Sequence, residues 1–461
     1  MSESDFADLD RAGLIALILH QATLIEQLRA EIEQLRRGDA RQAAPFSKGE
    51  PVPDPKNPGR KPGQGPFRRR ESPAPGQLSE PPIDVPVAEA DCPACGGPLQ
   101  PDRVEEASIT DLPEVVRPRV RLFRVAVKRC RRCGRTVRGR HRELAPDQRG
   151  ATAHRLGPRL LAAAHQLHYG LGVTARKLPE VLGLLAGVRV TQGAITQDAL
   201  RRSERTVAAI HRALGDSIRE APFVHTDDTG WRMGGRPGWL MVFVTDAATV
   251  YRVRDRHRNE EVRERVPSGY AGVMITDRGR SYDAGEFAGV RRQVCLAHVQ
   301  RSIAAVVDAK AGKARWFGSH LKGLLKRALA LHHERRDGPG PDHGTRVRRL
   351  ERELTDHLRD RVLRDDDNQR LLDGLGRHHD AGSLVRFLVE PGIEPTNNAA
   401  ERALRPAVVA RKVSQCTKTV RGTRAFEAWS SVLATWGRTL SGEALLDAIV
   451  ARVYPGAPEL G

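Results

Sequence analysis

Apolar side chains return every seven residues between Leu14 and Leu35. Ile18, Ile25 and Ile32 occupy one core position, Leu14, Leu28 and Leu35 the other, and Gln21 is the polar interruption. This spacing predicts a short coiled-coil seam, and so short a helix is marginal alone, which favours self-association over docking on its own chain. The rhythm then vanishes. From about Gly38 to Pro86 the chain is dense in Pro, Gly and Arg with no apolar period, the pattern of a linker that cannot bury enough surface to fold. Val120 to Cys130 mixes apolar and basic residues in a strand-like run. From Gly157 to about Ala213 the period is helical. Leu160, Leu161, Ala164 and Leu167 share a face, a break follows at Gly170 to Thr174, and further helical stretches run from Ala175 to Ala186 and from Thr191 to Leu200. Thr191 is a suitable N-cap, so the last stretch fits the second helix of a helix-turn-helix and an ordinary helical subdomain equally well.

After residue 220 the period shortens again. Pro222 to Thr226 predicts a short strand ending in Asp227-Asp228-Thr229-Gly230. Gly238 to Thr245 and Thr249 to Val253 read as strands, Asn259 to Val266 as a helix, and Gly272 to Thr276 as a strand ending in Asp277-Arg278-Gly279. Helical spacing then holds from Arg301 to Pro391, carried by Leu321, Leu324, Leu325 and Leu329 and then Leu350, Leu354 and Leu358, with a loop from Asp337 to Gly344. Ala425 to Trp436 and Glu443 to Val453 complete the chain as packing helices.

Composition narrows what these elements serve. The chain has 461 residues, and 76 Lys and Arg against 57 Asp and Glu leave a net charge of +19, which makes polyanions the leading partners. The length allows about three domains. No apolar run approaches the ~18 residues that cross a bilayer, and the acidic N-terminus MSESDFADLD lacks a secretory layout, so a cytoplasmic protein is expected. Within the linker, Lys56 to Arg70 carries six basic residues (Lys56, Arg60, Lys61, Arg68, Arg69 and Arg70) and no acidic one. Its Gly59 to Pro62 stretch could enter a DNA minor groove through Arg60 and Lys61, or serve as a solvated spacer. From Arg117 to Arg142 there are twelve Lys or Arg and no carboxylate, as a binder of phosphate backbones needs.

Six cysteines are too few for a disulfide scaffold, and four of them form two knuckles, Cys92-Pro-Ala-Cys95 and Cys130-Arg-Arg-Cys133, 34 residues apart. Each is followed by Gly. Four thiolates so arranged predict a closed, structural zinc site in a basic zinc ribbon. The candidate catalytic groups are carboxylates. Asp227 and Asp277 each end a strand, and on neighbouring strands a sheet could hold two such residues rigidly around divalent cations, although Asp-x-Gly is also an ordinary turn former. Glu401 falls in the first turn of a helix, and Asn398 three residues earlier fits a capping box, so spacing leaves both a cap and a metal ligand open. Cys295 and His298 have metal-ligand spacing but lack partners in the sequence.

Together, Asp227-Asp228-Thr229-Gly230-Trp231, Val273 to Asp277, Cys295-Leu296-Ala297-His298 with Arg301, and Asn397-Asn398-Ala399-Ala400-Glu401-Arg402-Ala403-Leu404-Arg405-Pro406 resemble the DDE transposases of the insertion sequence 66 family. The Asn-Asn-x-x-Glu-Arg-x-Leu-Arg-Pro motif is the most specific part, and the coiled coil, linker and ribbon precede it in the family's order. The resemblance implies an α/β architecture: an RNase H-like catalytic domain with an α-helical insertion, preceded by the coiled coil, zinc ribbon and helical DNA-binding segment. Residues 1–37, 38–86, 87–145, 150–215, 220–300, 301–391 and 392–455 would be the coiled coil, linker, ribbon, helical segment, first core part, insertion and second core part. By the same resemblance Asp227, Asp277 and Glu401 bind two magnesium ions, with manganese able to substitute, and Asp227 bridges both. Arg402, Arg405, Arg411 and Lys412 face DNA phosphates, and the Cys-x-x-His element is structural. Asp228 replaces the family's usual Glu, and Leu296 stands where an aromatic residue is common. The activity implied is cleavage at transposon ends and transfer of the 3′-hydroxyl into target DNA. The expected partners are the terminal inverted repeats, target DNA, a second copy or more of the chain, and accessory proteins of the same element, at the nucleoid. The alternative is a non-catalytic zinc-ribbon regulator that binds DNA.

Overall fold

The unbroken apolar run at residues 240–244 demands two buried faces, and the fold supplies both. In the computed structural model the described residues are 20–25, 27, 28 and 73–454, apart from 75, 77, 111–115, 142, 143, 145–147, 151, 152, 360 and 415. Of the predicted coiled coil, residues 20–25, 27 and 28 are helical, with Ile25 and Leu28 exposed. Leu14, Ile18, Ile32 and Leu35 lie outside the described residues, as do Arg60 and Lys61. The chain divides into two units, residues 46–117 and residues 1–45 with 118–461.

In the smaller unit, Cys92 and Cys95 sit on a tight turn. The Cys92 amide donates to the Gly97 carbonyl (2.9 Å), and the Gly96 amide to the Cys92 carbonyl (2.8 Å). Gly96 takes φ +69°, which a side chain would strain. The larger unit carries the same device. Strands β1 (Val127–Arg129) and β2 (Thr136–Arg138) pair antiparallel, and Cys130 and Cys133 occupy the connecting turn. Cys130 N bonds Arg135 O (2.8 Å), Gly134 N bonds Cys130 O (3.0 Å), and Gly134 has φ +70°. Of the strand-like run from Val120, only its last residues are paired.

The central sheet is built from β3 (Phe223–Met233), β4 (Arg236–Val244), β5 (Thr249–Arg254), β6 (Val273–Thr276) and β7 (Arg291–Val294), in the order β5-β4-β3-β6-β7. The first three form an antiparallel meander, and β6 and β7 run parallel to β3. Strand β3 corrects one expectation. It does not end before Asp227 but continues to Met233, because pairing with β4 carries through Asp228↔Met241, Gly230↔Trp239 and Met233↔Arg236. The turn lies instead at Gly234-Gly235, whose φ of +57° and +85° suit a two-residue hairpin.

Each face of the sheet has its own core. Leu240, Val242 and Val244 pack with Trp231, Tyr251 and Val253 against Ala400, Leu404 and Ala407 of helix α9 (Asn398–Ser414). Met241, Phe243, Val250 and Met274 pack on the other face with Tyr270, Tyr282, Phe287 and Val262, the last from the short helix α4 (Asn259–Arg263). Each such fully buried side chain contributes about 1.5–3 kcal/mol.

Ahead of the sheet lie α1 (Pro158–His165), α2 (Leu178–Ala186) and α3 (Gln192–Ser217). Thr191 caps α3 as predicted, its Oγ1 accepting from Ala194 N (3.2 Å). The helix runs well beyond Leu200, because Val207 and Ala199 bury against α10 (Val420–Trp436), where Trp429 Nε1 donates to Ala199 O (3.1 Å). Helix α10 also protects the sheet edge. Thr435, Ser431 and Glu427, one turn apart, accept from the amides of Thr249 (3.0 Å), Tyr251 (2.8 Å) and Val253 (2.5 Å), the donors that β5 would otherwise leave open. Between β7 and α9, helices α5 (Leu296–Asp308), α6 (Gly312–Asp337), α7 (His343–Leu358) and α8 (Asp366–Asp380) form one core with Val273, Ile275 and Val294 of the sheet. The α6–α7 connection falls on the predicted loop. Helix α11 (Gly442–Val453) closes the chain against α1 and α3 through Leu445, Ile449 and Val453.

Candidate active site

Parallel register brings the first two carboxylates to one level. β3 pairs with β6 as Val224↔Met274 and His225↔Ile275, and Asp227 and Asp277 each lie two residues further on. They therefore stand side by side where the parallel pairing stops. Alternation puts Asp227 on the face of His225 and Trp231, the face that α9 covers. The Asp228 side chain takes the opposite face, with Oδ1 3.2 Å from His257 Nε2.

Asp227 Oδ1 accepts from the Asp228 amide (2.9 Å). Burial, reinforced by the negative charges of Asp277, Asp228 and Glu401, pushes its carboxyl up to about 7. Asp277 Oδ1 accepts from Gly279 N (2.8 Å), and its carbonyl is held by Nη2 of buried Arg292 (2.6 Å), whose Nε also bonds Thr276 Oγ1 (2.7 Å). Arg292 thus clamps the strand end that carries Asp277.

Glu401 arrives from across the site. Helix α9 begins at Asn398, and the Glu401 amide bonds the Asn397 carbonyl (3.1 Å) as an ordinary helical turn. Asn398 is accordingly inside the helix rather than its cap, so the pair does not form a capping box. Glu401 Oε1 is buried without a hydrogen bond; its neighbours are Arg301 Nη2 at 3.7 Å and His298 Nδ1 at 3.8 Å.

Asn397, fully buried, ties these segments together. Its Nδ2 donates to Thr226 O (2.8 Å), next to Asp227; its Oδ1 lies 3.2 Å from His225 Nδ1; and its own amide donates to Cys295 Sγ (3.2 Å). Cys295 N in turn donates to Thr276 O (2.8 Å), next to Asp277, and Leu296 N to Pro395 O (2.9 Å). Asn397, by its side chain to β3 and by its amide through Cys295 to β6, therefore joins the backbones bearing all three carboxylates. Sequence reasoning assigned Asn397 no role, although the doubled Asn of the motif, more than a cap requires, was a usable signal. Arg292 left no such trace.

Of the basic residues on α9, Arg402, Arg405 and Lys412 are exposed. Arg411 turns inward, bonding Thr229 Oγ1 (3.1 Å) and the Gly230 carbonyl, and so braces β3 beside the site.

Residues 154–425 match the model of the Transposase IS66 family. The chain belongs to this family. The match spans Asp227, Asp277 and Glu401 and begins after both cysteine knuckles. A comparison with curated proteins found none that matches. Membership implies a transposase role, with DNA as the partner and a divalent metal in use. Among the transposase's described residues no helix is long and apolar enough to cross a membrane.

Proposed function

We propose that this transposase cleaves DNA at the ends of its own mobile element and transfers the resulting 3′-hydroxyl to target DNA, using Asp227, Asp277 and Glu401 as the ligands of two magnesium ions. The observation that carries this reading is the meeting of three carboxylates from three distant segments, where burial together with the charges of Asp277 and Glu401 raises the Asp227 carboxyl. Such an arrangement is costly by itself and is relieved by cations. The orphaned Glu401 Oε1 fits the same assignment, as a buried acceptor awaiting a partner. The chemistry that a pair of such ions supplies is activation of the attacking hydroxyl and neutralisation of the leaving oxygen, and manganese would serve as well.

The chain's own residues do the positioning. Asp227, whose carboxyl is pushed up by burial and the neighbouring carboxylates, would be one of the ligands. Asn397 and Arg292 hold the three backbones in place, and the exposed Arg402, Arg405 and Lys412 lie along α9 within reach of phosphates. We read the β5-β4-β3-β6-β7 order, three antiparallel strands extended by two parallel ones, as an RNase H-like core with α5–α8 as its insertion. Cys92, Cys95, Cys130 and Cys133 are assigned to structural zinc on the local form of each knuckle. Amides of Ala94 and Cys95 lower the Cys92 thiol, and those of Cys133 and Arg132 lower that of Cys130, which favours thiolate ligands. The exposed start of α3, Gln192 to Ala194 with Gln197 and Arg201, would enter a groove of DNA. The heptad segment would join copies of the chain.

The test uses the full-length protein, DNA carrying the flanking inverted repeats, and magnesium. Wild type should cut, whereas Asp227→Asn and Glu401→Gln should bind the same DNA and leave it intact. If all three bind alike and none cuts, even with manganese and the element's accessory proteins, a DNA-binding regulator is the better account.

A further inference from the structure

The same site holds a second set of donors with different chemistry. Cys295 caps α5 and His298 lies in its first turn, while Glu401 lies in the first turn of α9. One ligand atom from each falls within 4.8 Å of the others. We propose that Cys295, His298 and Glu401 form a site for a borderline divalent cation such as zinc, and that filling it withdraws Glu401 from the magnesium-binding carboxylates and holds the transposase inactive. The second half rests on the reading above; the first does not.

Three observations support the site. His298 Nδ1 and Glu401 Oε1 are both buried without hydrogen bonds and lie 3.8 Å apart. Zinc bond lengths of ~2.0–2.3 Å place tetrahedral ligand atoms roughly 3.3–3.8 Å from one another, so little movement is needed. Cys295 is fully buried and its Sγ accepts the Asn397 amide, a hydrogen bond of the kind that stabilises a metal thiolate. The donor set is also selective. Thiolate and imidazole suit zinc or cobalt and discriminate against magnesium, which demands oxygen ligands.

Arg301 is the competitor. Its guanidinium bonds His298 Nε2 (3.2 Å) and approaches Glu401 Oε1 (3.7 Å). Binding through Nδ1 puts the proton on Nε2, and Arg301 must then let go. Its side chain is 66% exposed and can swing into solvent. Removing it should therefore tighten the site.

The experiment counts zinc. Full-length protein is loaded with zinc, freed of unbound metal by gel filtration and measured by atomic emission, with circular dichroism verifying the fold. Wild type should keep one more zinc per chain than Cys295→Ser or His298→Ala; zinc held by the knuckles is common to all and cancels. Arg301→Ala should keep the extra zinc and resist a chelator better than wild type. Equal zinc in wild type, Cys295→Ser and His298→Ala overturns the site. A differing count with no cleavage by any form leaves the site standing and sinks the transposition chemistry; cleavage with equal counts does the reverse. Zinc added to a magnesium-supported cleavage reaction should stop it, reversibly on chelation, and unimpeded cleavage overturns the inhibitory role.

Discussion

Asp227→Asn should stabilise the protein while destroying its chemistry. The substitution keeps the shape and the acceptor for the Asp228 amide but removes a charge crowded by Asp277, Asp228 and Glu401. The carboxyl rises from 3.8 to about 7. That is about three pH units at about 1.36 kcal/mol each, a ceiling of roughly 4 kcal/mol, and residual solvent contact reduces it to roughly 2–4 kcal/mol. The sign follows from proton binding. Between pH 3.8 and about 7 the unfolded chain has released this proton while the folded one retains it, so the native state of wild type loses stability as pH rises through that window. Below it the carboxyl is neutral in both states. Urea denaturation in EDTA should therefore find variant and wild type similar near pH 4 and the variant more stable by roughly 2–4 kcal/mol near pH 8. Magnesium or manganese at pH 8 should close the gap, because only wild type keeps the full ligand set and gains from binding. A variant no more stable than wild type at pH 8, or a gap of equal size at both pH values, would refute the reasoning.

Two further predictions test the supports of the site. Asn397→Ala leaves the Thr226 carbonyl and His225 Nδ1 buried without their partner, at a cost of about 1–3 kcal/mol for each group; denaturant titration measures the loss, and manganese affinity followed by electron paramagnetic resonance should fall with it, since the side-chain tie between the Asp227 strand and the Glu401 helix is gone. Ser431→Ala removes the acceptor of the Tyr251 amide at the sheet edge and should lower stability by about 1–3 kcal/mol with DNA affinity unchanged, as read by denaturation and by gel shift.

Much of this protein is local and was legible in its sequence. Thr191 caps a helix because a hydroxyl can reach an amide three residues away, the loop near residue 340 follows from an interrupted helical period, and each Cys-x-x-Cys-Gly turn is a matter of five consecutive residues. Asp227 and Asp277 could be singled out because each follows an apolar run of strand length. Tertiary structure decided the rest. Asp227-Asp228-Thr229-Gly230 has turn chemistry, yet pairing with β4 draws it into a strand, and that conformation alone sends Asp227 and Asp228 to opposite faces. Glu401 matched a cap in spacing until the helix start at Asn398 left its carboxylate facing His298 and Arg301. Asn397 and Cys295 are about a hundred positions apart, and their hydrogen bond exists because β7 feeds α5 beside the start of α9. Local hydrogen bonds and side-chain periodicity are written in neighbouring residues. Which charges meet, and which buried atoms are left wanting a partner, depends on segments that only the packed sheet brings together.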